Sequence, residues 1–146
     1  MQDSGISAVA HAIQLSVAPV FLLSGIGAML AVMTNRLARV IDRARLLESG
    51  LRHQSDDGAT ALRAELRTLS QRAKLISGSI TLCTATALLV CAVIATGFVN
   101  ALAPRFDASM TVATLFIAAM VTFFVGLVLF LREILVATAN LRIGRH

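Results

Sequence analysis

Charge is scarce in this sequence and is missing from most of its length. Asp, Glu, Lys and Arg make up 14% of the 146 residues, and hydrophobic residues make up 57%. Soluble domains contain about 25% charged residues. No charged residue occurs in the stretches 4–35, 75–104 and 108–131. Each stretch exceeds the roughly 20 apolar residues that cross a bilayer as a helix. These absences exclude a soluble enzyme and predict an integral membrane protein.

Residue patterns that support catalysis or metal binding are also missing. The sequence has no Gly-rich phosphate loop, nucleophile elbow or zinc-protease motif. His11, His53 and His146 are separated along the predicted topology and cannot converge on one metal. No charged side chain lies inside a predicted span, which argues against a proton relay. We therefore expect no enzymatic activity, no metal and no cofactor.

Cysteine is represented by Cys83 and Cys91, which share one apolar stretch. On a helix they would lie roughly 12 Å apart along the axis. Because a disulfide requires Cα atoms within about 7 Å, an intrachain bond between them is excluded. We expect both to be buried thiols in apolar surroundings.

The charge-free stretches predict three transmembrane helices, at about 13–34, 75–99 and 109–131. Pro104 interrupts the chain between the second and third. A connection this short makes these two helices antiparallel neighbours. We therefore expect one all-α membrane domain that spans residues 1–146.

The positive charge predicts the orientation. Twelve of the 13 Lys and Arg residues lie in the segments 35–74 and 132–146, whereas the opposite side contains Asp3, Arg105 and Asp107. Cytoplasmic loops of membrane proteins carry the excess of Lys and Arg, so the N-terminus is predicted outside and the C-terminus in the cytoplasm. Nucleic-acid binding is not expected, because no aromatic residue interleaves the arginines to stack on bases.

Residues 35–74 are predicted to form an antiparallel helical hairpin that extends helices 1 and 2 into the cytoplasm. Each arm has an apolar stripe at helical spacing. The segment 54–58, Gln-Ser-Asp-Asp-Gly, is typical of a turn. The stripe contains Leu37, Val40, Ile41, Ala44, Leu47 and Leu51 in the first arm, and Leu62, Leu66, Leu69, Ala73 and Ile76 in the second.

The other faces of this hairpin carry arginines. They form a solvated surface that signals topology, or they contact anionic lipid headgroups or a cytoplasmic protein. The arginines assigned to these faces are Arg39, Arg43, Arg45, Arg63, Arg67 and Arg72. The candidate lipid or partner contacts among them are Arg39, Arg43, Arg63 and Arg67.

Small and hydroxylated residues follow helical spacing along the first two spans. They predict close helix packing, within the chain or between copies, or the lining of a pore. Pro19 frees the carbonyl of Leu15 and predicts a packing kink or a gate. On helix 1 the residues are Ser16, Ser24, Gly27, Ala31 and Asn35; on helix 2 they are Ser77, Thr81, Thr84, Ala87, Cys91 and Ala95.

Residues 12–45, AIQLSVAPVFLLSGIGAMLAVMTNRLARVIDRAR, resemble a bacterial family of small membrane proteins catalogued as domain of unknown function 2721. The match includes the Ser- and Pro-containing first helix, its Gly-rich middle, and the run from Asn35 to Arg43. The resemblance implies three spans in a bacterial inner membrane. It implies no catalytic residue, and it draws attention to helix 1 and its cytoplasmic end.

Two hypotheses of function follow. The favoured one is a homo-oligomeric channel or small permease with helix 1 lining the pathway, since one chain of three spans has little room for an enclosed path. The alternative is a non-transporting membrane scaffold or adaptor whose basic hairpin binds a protein partner or anionic lipid. The C-terminal tail, 132–146, is expected to pack on the hairpin or on the membrane surface.

Overall fold

The structure, a computed structural model, consists of three long α-helices. It describes residues 2–51, 56–102 and 109–142, and no strand occurs in these ranges. Helix α1 spans Gln2–Leu51, α2 spans Asp56–Leu102 and α3 spans Ser109–Arg142. The prediction of an all-helical chain is therefore confirmed.

All three helices contain segments long and apolar enough to cross a membrane. These segments are Val17–Leu51, Thr60–Asn100 and Ser109–Thr138, and the most apolar 18-residue stretches within them have mean hydropathies of 2.0, 2.3 and 2.6. A helix of about 20 residues suffices for a span, so each of them has length to spare. The number of membrane-compatible helices agrees with the prediction from the charge-free stretches.

The helices continue without interruption through the predicted membrane boundaries. Helix α1 includes both the span 13–34 and the following arm, and it passes through Pro19 without ending. Helix α3 continues beyond residue 131 to Arg142, so most of the predicted tail is helical. Residues 54 and 55 of the predicted turn lie outside the described part of the chain, as does Pro104, and residues 56–58 of that turn are already helical because α2 begins at Asp56.

The chain divides into two compact units. The first comprises Met1–Leu30 and Leu82–Phe124, and the second comprises Ala31–Thr81 and Val125–His146. Buried hydrophobic residues of the first unit are Ile26, Cys83, Val90, Val93 and Ala119. Those of the second unit are Met33, Val40, Leu69, Ile76 and Phe130.

Buried positions recur at seven-residue intervals inside each unit. In the second unit, Met33 and Val40 are buried seven residues apart, as are Leu69 and Ile76. In the first unit, Cys83 shows the same interval to Val90. A seven-residue repeat is typical of helices that pack side by side at small crossing angles, because it returns side chains to the same face every two turns.

Candidate functional site

The small residues assigned to one face of α1 are exposed in the single chain. In the first unit, Ser24 and Gly27 are exposed, and a methyl group added at Gly27 would meet no atom of the rest of the fold within 4 Å. In the second unit, Ala31 and Asn35 are exposed. The side chain of Ser16 lies outside the described part. Packing within the chain therefore does not bury these four residues, and their roles in a pore or between copies remain predictions.

The opposite side of α1 is the one that packs inside the chain. Ile26, Met33 and Val40 are 1%, 0% and 6% exposed. At 100° per residue, this buried stripe lies about 180° around the helix from Ser24 and Ala31. Large apolar side chains occupy the packed side of α1, whereas the free side carries these small residues together with exposed apolar ones such as Val17 and Val20.

The corresponding face of α2 is also largely exposed. In the first unit, Thr84, Cys91 and Ala95 are exposed, and Ala87 is half-buried. Cys83 is buried and Cys91 is exposed, and both thiols are free. The prediction that both cysteines are buried is therefore correct for Cys83 and wrong for Cys91, since Cys91 points away from the packed side of its helix.

Buried hydroxyl groups on α2 bond to their own helix. Ser79 donates to the carbonyl of Leu75 at 2.9 Å, and Thr86 donates to that of Leu82 at 2.9 Å. Both residues are fully buried. A bond to the carbonyl four residues earlier satisfies a hydroxyl proton in an apolar environment. These hydroxyls are therefore compatible with apolar packing without any polar partner on another helix.

The four arginines proposed as lipid or partner contacts are exposed: Arg39, Arg43, Arg63 and Arg67. One of them also joins two helices. Arg43 donates to Oε1 of Glu65 through Nη2 at 3.1 Å and Nε at 3.3 Å. The two side chains are 58% and 45% exposed. Exposed pairs of this kind contribute about 0–1 kcal/mol, so this contact adds little stability.

Arg72 does not lie on a solvated face, and its assignment to one was wrong. Its side chain is 22% exposed and is paired with a buried carboxylate, that of Glu133. Arg72 follows Leu69 by three residues and precedes Ile76 by four, and both of these residues are buried. Its spacing therefore places it on the packed stripe of α2.

Glu133 is the centre of a buried ion triad that joins all three helices in the second unit. Its side chain is 0% exposed. Arg72 donates to Oε1 through Nε at 3.1 Å and Nη2 at 3.0 Å. Arg36 Nη2 lies 3.4 Å from Oε1, as a hydrogen bond, and 3.0 Å from Oε2, as an ion pair. Thus two guanidinium groups, from α1 and α2, hold one carboxylate of α3.

The triad carries excess positive charge, and one of its arginines packs over an aromatic ring. Two arginines face one ionised glutamate, so its formal charge is +1. The guanidinium carbon of Arg36 lies 5.5 Å from the ring centroid of Phe130, which is within cation–π range. Oε2 of Glu133 is buried and accepts no hydrogen bond from the residues that the structure describes, although Arg36 neutralises it by charge. The arrangement fixes both arginines at the edge of a buried core.

A cleft with a volume of about 710 Å³ opens beside the triad. Arg36 and Arg72 line it together with Glu65, and the apolar and hydroxyl side chains come from α2 and α3. Small-molecule sites typically measure about 300–1,000 Å³. The remaining lining residues are Ala64, Thr68, Leu69, Ile134, Ala137 and Thr138.

Glu133 was not among the predicted site residues, because it lies two residues beyond the third charge-free stretch. One signal was present. Glu133 follows Gly126 by seven residues, as Gly126 follows Ala119, and all three positions are buried. A carboxylate on the packed stripe of a helix requires a cationic partner. The interval places Glu133 on the same helix face as Ala119 and Gly126, but only the structure shows that this face is buried and that Arg36 and Arg72 are the partners.

No group of three or more His, Cys, Asp or Glu side chains that could hold a metal ion occurs among the residues that the structure describes. His11 is exposed on α1, whereas His53 and His146 lie outside the described ranges. Within the described ranges, the ion pairs join arginine to glutamate.

These features define a class of protein: an all-helical chain with three membrane-compatible helices and a buried ion triad. The chain belongs to the family described as Protein of unknown function (DUF2721), which matches residues 16–143. The match covers most of the chain and includes all three members of the triad. No curated protein and no solved structure matches the chain.

Proposed function

We propose that the chain is a homo-oligomeric channel or small permease of the bacterial inner membrane, with α1 lining the pathway. The observation that carries this proposal is the free side of α1, where Ser24, Gly27, Ala31 and Asn35 are exposed. Small residues on a membrane helix allow close approach of another helix or leave room for a water-filled path. Three spans enclose little space alone, so the pathway is shared between copies.

The proposed topology places the N-terminus outside and the C-terminus in the cytoplasm. Segments 35–74 and 132–146 contain twelve of the 13 basic residues, which supports this orientation. Residues 35–74 form a cytoplasmic helical hairpin. Two observations support the hairpin: Arg43 is ion-paired with Glu65, and Leu62 lies so near Gly50 that a methyl group added there would be 3.7 Å from Leu62 Cδ2. No catalytic step, cofactor or nucleic acid is part of the proposal.

Replacing Gly27 by Leu tests the proposal, with Gly25→Leu as the matched control. A methyl group added at either glycine meets no atom of the rest of the fold within 4 Å, so the single chain has room for both changes. At 100° per residue the two glycines lie about 160° apart around α1. We expect Gly27→Leu to change subunit number by native mass spectrometry and to lower conductance in planar bilayers, and Gly25→Leu to leave both unchanged.

Three results would contradict the proposal. A monomeric wild-type chain would contradict a pathway shared between copies. A wild-type oligomer without measurable conductance would contradict the channel function. Equal effects of the two glycine variants would show that the free side of α1 has no special role.

A second candidate function is a membrane scaffold or adaptor. It is favoured by the exposed arginines Arg39, Arg63 and Arg67, and by a groove of about 520 Å³ between the two hairpin arms. Val40, Leu66 and Leu69 provide apolar lining in this groove, and its charged lining residues are Arg45, Glu48 and Arg67. If this function holds, replacing Arg39, Arg63 and Arg67 by Gln abolishes cross-linking to a cytoplasmic protein partner. Neither the wild type nor this triple variant then shows conductance.

A further inference from the structure

We propose that the cleft beside the triad binds the phosphate group of an anionic phospholipid. The proposal rests on the membrane insertion proposed above, and it assigns a site that lies within one chain. Arg36 and Arg72 supply the charge, and the 710 Å³ cleft supplies the space. The proposed site is called the phosphate cleft below.

The first argument is charge. The charged groups at the phosphate cleft are Arg36, Arg72 and Glu65, with Glu133 behind the arginines and Arg43 paired to Glu65. Three positive and two negative groups leave a formal charge of +1. Glu65 does not oppose an anion strongly, because Arg43 donates two hydrogen bonds to it and offsets its charge. A singly charged phosphodiester would neutralise the remaining charge.

The second argument is the supply of hydrogen-bond donors. Each guanidinium has five N–H groups in a planar fork that matches phosphate oxygens. Within the described part of the chain, Glu133 accepts one hydrogen bond from Arg36 and two from Arg72. Both arginines are part-exposed, at 34% and 22%, so their other N–H groups are accessible. Glu133 and Phe130 restrict these side chains, which lowers the entropy that binding would cost.

The third argument is position along the chain, and it favours a lipid over a soluble phosphate. Arg36 is the first charged residue after the stretch 4–35, and Lys74 and Arg72 are the last basic residues before 75–104. Glu133 comes two residues after 108–131. In the proposed topology all three triad residues lie at the cytoplasmic boundary of the membrane, where lipid phosphates are found. Leu69, Ile134 and Ala137 line the same cleft and provide apolar contact for the glycerol and upper acyl chain.

Arg36→Gln is the variant that tests the site. It removes the excess charge and leaves the two short bonds between Arg72 and Glu133 in place. Arg39→Gln is the matched control, because it removes the same charge from an exposed residue of the same helix that does not line the cleft. Arg36→Lys retains the charge without the guanidinium fork. Thermal melting of the helical circular dichroism signal shows whether each variant is folded.

The measurement is native mass spectrometry of the full chain in mild detergent, titrated with phosphatidylglycerol or with the zwitterionic phosphatidylcholine. We expect the wild type to bind phosphatidylglycerol more tightly. We expect Arg36→Gln to weaken that binding about tenfold, as loss of a charge-assisted hydrogen bond does. Arg39→Gln should change it less than twofold, and Arg36→Lys should give an intermediate affinity.

Equal weakening by Arg36→Gln and Arg39→Gln would overturn the proposal, since it would indicate unspecific attraction to a basic surface. So would equal affinity for the two lipids, or displacement of phosphatidylglycerol by millimolar glycerol 3-phosphate, which would identify a site for soluble phosphate. The same spectra report subunit number. A monomer whose lipid binding depends on Arg36 would contradict the shared pathway and support the phosphate cleft. An oligomer whose lipid binding does not depend on Arg36 would contradict the phosphate cleft and leave the shared pathway in place.

Discussion

Glu133 is a charged residue whose burial carries a large free-energy cost. A fully buried carboxylate loses its hydration, and this cost is offset only when cationic partners and hydrogen bonds replace the water. Arg72 and Arg36 provide three hydrogen bonds and two ion pairs. Because the partners come from α1 and α2, the side chain of Glu133 couples α3 to both other helices within the second unit.

Glu133→Ala should therefore destabilise the fold by about 3 kcal/mol, toward the lower end of the range for breaking a buried ion pair, since both arginines retain some solvent access. Glu65→Ala is the control, because its side chain is 45% exposed and its ion pair with Arg43 is worth at most about 1 kcal/mol. Denaturant titration in detergent, followed by circular dichroism, measures the loss of unfolding free energy in each variant. Comparable losses in the two variants would show that the triad contributes no more than a surface pair.

At the scale of elements, each helix is longer than its predicted membrane segment. Helix α1 continues from the apolar stretch 13–34 into the arm that ends at Leu51, and α2 runs from Asp56 to Leu102. Nothing in the local sequence after the apolar part of α1 requires a break, because residues 36–51 retain apolar residues at helical spacing and contain no proline.

The contact between the two arms can be measured with a double-mutant cycle at Arg43 and Glu65. We expect Arg43→Gln and Glu65→Gln each to cost less than about 1 kcal/mol, with a coupling energy of about 0.2–1 kcal/mol. The coupling should fall as salt is raised from 0.05 to about 0.5 M, because exposed charges are screened. A coupling of zero at low salt would contradict a paired arrangement of the arms.

At the scale of the whole molecule, the distribution of charge determines how the protein would sit in a bilayer. Much of the described apolar surface is exposed: Phe21, Leu88, Met110 and Phe124 are each more than 60% exposed. Exposed large apolar side chains at this density are unfavourable in water and favourable against lipid tails. Together with the three membrane-compatible helices, this surface supports insertion.

Single-cysteine labelling checks the proposed orientation. In a Cys83→Ala, Cys91→Ala background, the test positions are Met110→Cys, at the start of α3, and Thr60→Cys, at the start of the second arm; both residues are exposed. In intact bacterial cells, a membrane-impermeant maleimide should label the first and not the second, and permeabilised cells should show both. Labelling of Thr60→Cys but not Met110→Cys in intact cells would show that the orientation is opposite to the proposed one.

The sequence predicted the elements well and the site only in part. Three helices, the membrane-compatible stretches and the burial of Cys83 follow from hydrophobicity and spacing, which are local properties. The assignment of Arg72 to a solvated face was wrong, and Glu133 was not recognised, because both errors concern pairing between residues far apart in the chain. Arg36 and Glu133 are 97 residues apart, and no local pattern identifies such a partner.

By itself, the sequence determined the class of protein, the number of helices and the predicted orientation, since each of these depends on the total and the placement of apolar and charged residues. The tertiary structure alone decided which side of α1 is free, which cysteine is exposed, and that one carboxylate of α3 is held by arginines of α1 and α2. The physical reason is that a helix has many faces of similar composition. Which face is buried is settled by the partner against which it packs.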